Sequence, residues 1–211
     1  MMVYITNDVE AAGPNLGVCS TLSIGACIMV REEIPFTKYW EKGLVFYAEL
    51  KPDSLFWKLE SMRVGCSRLI CLEGIRKKVK CYDSESFYFS PSMVLEFMEN
   101  HCESQASAMQ RFTAWIEGFS RGQEITGVTD TVFFDAGRID LCFGLHCFGG
   151  SPYGYKGLDL SSIYKGYTKR PQASLKELKV KDERDKPHRA DQDAVYMAQI
   201  GRELLFKRMK W

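Results

Sequence analysis

Two short stretches at opposite ends of this 211-residue chain carry residues that could do chemistry together. Near the start, Asp8-Val9-Glu10 sets two carboxylates two residues apart in a strand-like run from Val3 to Gly13. A strand turns residues i and i+2 to the same face, so both carboxylates leave the sheet together. Like charges that close raise each other's pKa and cost stability unless a cation sits between them, and a divalent metal is the simplest partner. By itself Asp-x-Glu reads better as a strand ending in a solvated acidic pair; only partner groups elsewhere in the chain can reverse that. Near the end, His188-Arg189-Ala190-Asp191-Gln192-Asp193 supplies an imidazole and a further carboxylate. The spacing predicts a helix from Arg189 to Arg208 with an apolar stripe of Ala190, Ala194, Met197, Ala198, Gly201, Leu204 and Leu205. Asp193 lies within that stripe, where a carboxylate is expensive without a partner. Five residues along a helix is about 140 degrees of rotation, so His188 belongs to the loop before the helix, free to lean over the same site. An exposed loop histidine is the plainer reading of His188 alone. The only other histidines are His101 and His146, which leaves few sources for a general base near neutral pH.

The elements that must position these groups follow from the apolar pattern. After the turn Gly13-Pro14-Asn15, Leu22 to Val30 reads as a second strand and Gly43 to Lys51 as a third, an antiparallel meander. Between residues 52 and 103, Leu55 to Leu59 and Met93 to Met98 look helical, and the basic run from Arg76 to Lys80 reads as solvated surface. From Gln105 to Phe119, the residues Ala108, Met109, Phe112, Trp115, Ile116 and Phe119 form one helical core stripe. Thr131 to Phe134 is expected as a short buried strand, Asp135-Ala136-Gly137 as a turn, and Ile139 to Phe148 as a helix with Asp140 in its first turn. Leu158 to Tyr164 and Ala173 to Leu178 are short helical or strand-to-helix pieces, and Lys179 to Pro187 is a charged loop. Strands followed by alternating helices and strands give an α/β class with helices on the faces of a mixed sheet, in a single domain spanning 1–211. Glycines between Gly149 and Gly157 form neither GxGxxG nor P-loop spacing.

Composition narrows the function classes. With 45% hydrophobic and 26% charged residues the chain has the profile of a globular protein with a full core. Lys plus Arg number 28 against 27 Asp plus Glu, so no global field draws it to nucleic acid or membrane, and any polyanion must be held locally. The start of the chain reads as a strand rather than a leader, and no apolar run approaches the ~20 residues of a membrane span; a cytoplasmic protein is expected. The eight cysteines, with apolar neighbours around Cys19, Cys27 and Cys142, read as reduced core thiols. Cys66 with Cys71, and Cys142 with Cys147 and His146, fit zinc-ligand spacing poorly.

The two chemical stretches together resemble the DEDDh 3′-to-5′ exonucleases, which include ribonuclease T, oligoribonuclease and the proofreading subunit of bacterial replicative polymerase. Asp8-Val9-Glu10, followed by Ala11, Ala12 and Gly13, is similar to that family's first motif, Asp-x-Glu. His188 to Asp193 is similar to its third, His-x-Ala-x-x-Asp. Val132-Phe133-Phe134 leading through a turn to Ile139-Asp140 is similar to the second, with Asp130 and Asp135 as rivals for the aspartate. Asp140 is preferred because it follows an apolar residue in a helix's first turn, whereas Asp135 reads as turn chemistry. The family usually carries a phenylalanine before this aspartate and threonines after Asp-x-Glu; here Ile139, Ala11 and Ala12 stand in those places. The segment from 52 to 103 has only loose counterparts in minimal members.

The resemblance implies a ribonuclease H-like fold, three antiparallel strands then parallel ones, flanked by helices. It implies a hydrolase that shortens single-stranded RNA or DNA from the 3′ end, releasing nucleoside 5′-monophosphates. Asp8, Glu10, Asp140 and Asp193 would hold two divalent cations, and an oxygen-only set suits Mg²⁺ or Mn²⁺ rather than zinc. Two such ions ~4 Å apart can clamp both oxygens of an in-line displacement, with His188 as general base. The backbone of Ala11, Ala12 and Gly13 would lie beside the terminal nucleotide. Phe148, Tyr153 and Tyr155 could stack on bases or pack locally. Several relatives act as dimers, so a homodimer is among the implied partners. A nuclease fold kept only as a nucleic-acid-binding module is the competing expectation.

Overall fold

Five strands, β1 (Met2–Ala11), β2 (Thr21–Ile28), β3 (Val45–Glu49), β4 (Glu124–Thr129) and β5 (Gly157–Asp159), form one sheet in the computed structural model, which describes residues 2–211. Their order is β3-β2-β1-β4-β5. The first three pair antiparallel, as the meander predicts, and β1, β4 and β5 pair in parallel. β1 therefore lies at the centre, with Asp8 opposite Gly25 of β2 and a register shift between Glu10 and Ala11. All eight residues of β2 are buried, which explains its apolar run without clean alternation.

Six longer helices surround the sheet: α1 (Leu59–Gly65), α2 (Pro91–His101), α3 (Gln105–Ser120), α4 (Gly137–His146), α5 (Leu160–Thr168) and α6 (Ala190–Gly201). α3 starts where Ser104 accepts a hydrogen bond from the Ser107 amide and stops at Arg121, whose left-handed φ of 47° ends the helix. Its stripe buries Ala108, Met109, Phe112 and Ile116 completely, and Phe112 stacks on Phe46 of β3 at 4.5 Å and on Phe143 of α4 at 5.5 Å. Full burial of one such phenylalanine is worth about 2–3 kcal/mol.

α6 lies across β1 and β2. Gly25 permits this approach, because a Cβ there would fall 2.1 Å from the carbonyl carbon and oxygen of Ala190. Thr6 of β1 then fastens the helix, its hydroxyl donating to the Ala194 carbonyl at 2.7 Å. The expected stripe of α6 is buried along its length, and a π-helical turn from Arg202 to Arg208 continues it.

Residues 52–103 build a second, smaller core of Met62, Cys66, Leu69, Leu72, Phe89, Val94, Leu95 and Met98, which joins Ala12, Cys19 and Leu22. Leu55 to Leu59 is not a helix. The chain runs extended there, Phe56 bridging to Cys19 and the Lys58 amide donating to the Ala12 carbonyl at 2.8 Å, and α1 begins only at Leu59. The expected strand from Thr131 to Phe134 is also absent: β4 ends at Thr129 and Val132–Ala136 is a π-helical turn running into α4. A four-residue apolar run cannot by itself distinguish a strand from a buried helical turn. Among the described residues no helix is long and apolar enough to cross a membrane.

Candidate active site

A cleft of about 470 Å³ opens over the end of β1 and is lined by Asp8, Glu10, Ala11, Asp130, Phe134, Asp135, His188 and Asp193, with Glu60, Ser61 and Val64 of α1 as its far wall. Asp8 and Glu10 reach it from one face of β1, as their spacing predicts. Asp193 arrives from the first turn of α6, and ligand atoms of Glu10, His188 and Asp193 lie within 4.8 Å of one another. His188 sits in the loop before α6 with a left-handed φ of 65° and an exposed side chain. Its backbone amide donates to Asp193 Oδ2 at 3.0 Å, while the Gln192 side chain accepts from the Lys186 amide at 2.9 Å and pins the same loop to the helix.

Asp140 is not part of this cleft. It is exposed on α4, and Asp135 occupies the place expected for it. Asp135 is buried, accepting from the Thr129 hydroxyl at 3.0 Å and from the Val9 amide at 3.3 Å, which aims it beside Asp8. The physical reason lies in where the helical chain begins. Two residues separate the end of β4 from the π turn, so residue 135 stands at the end of β4 beside β1, and residue 140, about 140 degrees further round, points away. Phe134-Asp135 is the phenylalanine-aspartate pair that the resemblance calls for; the turn-like Asp-Ala-Gly composition obscured it.

The remaining expectations divide. Ala11 lines the cleft, but Ala12 is fully buried, with its amide bonded to the Ser20 carbonyl at 2.9 Å and its carbonyl taken by Lys58. Gly13 is packed against Cys19, and its carbonyl accepts from the buried Arg138 guanidinium at 2.5 Å. Tyr153 is buried with its hydroxyl donating to Asn7, whereas Phe148 and Tyr155 are fully exposed. Cys142 and His146 both meet Gln105, Cys147 meets Thr113, and among the described residues these three do not converge as a ligand set.

The charge balance defines what the cleft can do. Burial first, then the charges of Asp135, Glu10, Asp193 and Asp130, holds the Asp8 carboxyl well above its ordinary range. Glu10 is raised likewise by burial, Asp193 and Asp135, and burial pushes Asp135 up to about 7. Burial raises Asp193 too, against the opposing pull of Arg184, whose Nη1 donates to Asp193 Oδ1 at 2.6 Å. Arg184 itself is held by both oxygens of Asp182, at 2.9 and 2.6 Å, and stacks over Tyr196 at 4.3 Å. The sequence assigns Arg184 no part in the site, because it stands in the charged loop from Lys179 to Pro187, where no local period marks one charge from another. Carboxylates this crowded, all oxygen donors around a polar cleft, fit divalent cations with oxygen preference.

Comparison with known proteins bears on this geometry. No family model matches the chain. The 3′-5′ DNA exonuclease Cap18 of Escherichia coli is 26% identical over 205 residues, 95% of this chain and 90% of that protein. The nuclease domain of 3′hExo, a DEDDh family member bound to rAMP, superposes with a TM-score of 0.65 at 13% identity, covering 99% of this chain and 94% of that one. The fold is that of the DEDDh exonucleases. Cell-death related nuclease 4 shares the DEDDh-type fold at a TM-score of 0.62 and 14% identity, over 98% of this chain and 64% of that one. Escherichia coli exonuclease I in complex with a dA16 oligonucleotide does so at 0.60 and 14%, over 99% of this chain and 41% of that larger one. The resemblance carried by Asp8-Val9-Glu10 and by His188 to Asp193 thus extends to the ribonuclease H-like sheet and its flanking helices.

Proposed function

We propose that this protein is a metal-dependent 3′-to-5′ exonuclease acting on single-stranded nucleic-acid ends, with DNA as its first substrate class. The observation that carries the reading is the convergence of Asp8, Glu10, Asp135, Asp193 and His188 on one cleft of a DEDDh-type sheet. DNA is favoured because the relative Cap18, similar over nearly the whole chain, is a 3′-5′ DNA exonuclease.

Asp8, Glu10, Asp135 and Asp193 would hold two divalent cations, Mg²⁺ or Mn²⁺, which when bound lower the pKa of the attacking water and neutralise charge developing on the phosphate and the leaving oxygen. Thr129 and the Val9 amide keep Asp135 aimed at β1, and the close seat of α6 on Gly25 keeps Asp193 level with Asp8. His188, on a loop tied down by Gln192 and Asp193, turns its imidazole over the cleft and takes the proton of the attacking water. Phe134 and Val64 bound the cleft with apolar surface suited to a terminal base or sugar. Water adds to the terminal phosphodiester, releasing a nucleoside 5′-monophosphate and leaving a new 3′ hydroxyl.

A time course on matched 5′-labelled single-stranded DNA and RNA, with Mn²⁺, Mg²⁺ or chelator, tests this directly. A metal-dependent ladder shortening from the 3′ end, faster on DNA, is expected. Substrates that are bound yet stay intact would replace catalysis with a binding-module role.

A further inference from the structure

Away from the cleft, Glu49, Cys71 and Cys102 bring one carboxylate oxygen and two sulfurs within 4.8 Å of one another. They come from three separate pieces of chain: Glu49 ends β3, Cys71 lies in the loop after α1, and Cys102 directly follows α2. All three are half-buried. We propose that they form a site for a thiophilic divalent cation, zinc, that fastens the 52–103 segment to the edge of the sheet.

The backbone fixes two of the three ligands against each other. The Glu103 amide donates to the Glu49 carbonyl at 3.2 Å and the Lys51 amide to the Glu103 carbonyl at 2.8 Å, a parallel bridge that holds Cys102 beside Glu49. The carboxylate is aimed in turn. The Tyr47 hydroxyl donates to Glu49 Oε1 at 2.5 Å, the Ile70 amide donates to the same oxygen, and the Cys71 amide donates to Oε2 at 2.9 Å. Hydrogen bonds of this kind orient metal-ligating carboxylates. The Cys71 amide bond also brings its own thiol to the carboxylate that would share the ion.

Zinc bonds to sulfur at about 2.3 Å and to carboxylate oxygen at about 2.1 Å, so ligand atoms around one tetrahedral ion lie about 3.5–3.8 Å apart. From separations of up to 4.8 Å, the trio needs to contract by at most about 1.0–1.3 Å to meet that geometry, with a water as the fourth ligand. Two sulfurs select zinc over the magnesium or manganese that suits the all-oxygen cleft. The consequence reaches the cleft. α1, in the fastened segment, supplies Glu60, Ser61 and Val64 as the far wall, and its Gly65 abuts β1, where a Cβ would lie 3.0 Å from the Ala11 carbonyl.

The site does not depend on the nuclease reading. The test is a Co²⁺ titration of the reduced, metal-free full chain, followed by absorbance, with Zn²⁺ back-titration and melting curves. Expected is a thiolate-to-cobalt charge-transfer band that saturates at one equivalent, disappears on adding Zn²⁺, and is lost in Cys71→Ser and in Cys102→Ser. The carboxylate cleft can bind cobalt but contributes no thiolate band. Glu49→Gln should keep the band and weaken affinity about 10-fold or more. One equivalent of Zn²⁺ should also shield Cys71 and Cys102 from alkylation in the wild-type chain, a readout that needs no variant to fold. Absence of the band from the reduced wild-type chain, a band that survives both serine variants, or unshielded alkylation would each overturn the proposal.

Discussion

Arg184 donates to Asp193 across 2.6 Å, so the carboxylate that α6 carries into the cleft already has a cation beside it. The guanidinium keeps its place through Asp182 and Tyr196 as well, and the two side chains of the pair are only 19% and 13% exposed. Arg184 therefore competes with any divalent ion for Asp193 while relieving repulsion in the metal-free protein. In Arg184→Met, the metal-free chain should lose about 1–3 kcal/mol, read as about 2–4 °C of Tm per kcal/mol. Its Mn²⁺ affinity, measured by calorimetry, should rise several-fold; an unchanged affinity would remove Arg184 from the metal balance.

Asp135 and Asp140 offer a sharp comparison. Asp135→Asn should cut exonuclease turnover by at least about 100-fold and reduce the Mn²⁺-induced rise in Tm, because it removes a charge at the bottom of the cleft. Asp140→Asn, on the exposed face of α4, should leave rates within about twofold, as surface substitutions away from a site usually do. His188→Gln should slow turnover while preserving the Mn²⁺ shift, which separates proton transfer from metal binding.

The raised carboxyl values set a pH dependence of stability. Asp135 binds its proton more tightly in the fold, at about 7, than its ordinary value of 3.8. The folded chain then holds more protons than the unfolded chain between those values, so this group's contribution favours folding at the acid end and is lost as pH rises through that window. Asp8 and Glu10, raised in the same direction, act with the same sign. Melting curves of the metal-free protein should show a declining component of Tm from about pH 4 to 7, and Asp135→Asn should flatten it. Equal slopes in the two proteins would show that Asp135 ionises freely in the fold.

Gly25 should tolerate no side chain. Gly25→Ala places a methyl 2.1 Å from the Ala190 backbone, so α6 must move off the sheet, carrying Asp193 with it. The expected cost is about 1–3 kcal/mol of stability together with loss of metal-dependent activity. Gly144→Ala in α4, where the added methyl meets open space, serves as the control and should be neutral or about 0.5–1 kcal/mol stabilising. Equal behaviour of the two variants would mean that the close seat of α6 does not position the site.

The sequence by itself determined what depends on short-range periodicity. A strand's period of two put Asp8 and Glu10 on one face, the 3.6-residue stripe of the last helix carried Asp193 inward, and the angle between residues 188 and 193 left His188 to the loop. The antiparallel meander and the core stripe of α3 were legible for the same reason. What tertiary structure decided is every choice among equivalent local patterns. Asp130, Asp135 and Asp140 were all plausible by type; the end of β4 at Thr129 and the π turn from Val132 settled which carboxylates face β1. Arg184 in a charged loop, α1 as the cleft's far wall, and Glu49 beside Cys71 and Cys102 are contacts between residues distant in the chain. No local period encodes such contacts, because they arise only when the sheet, α6 and the 52–103 segment pack against one another.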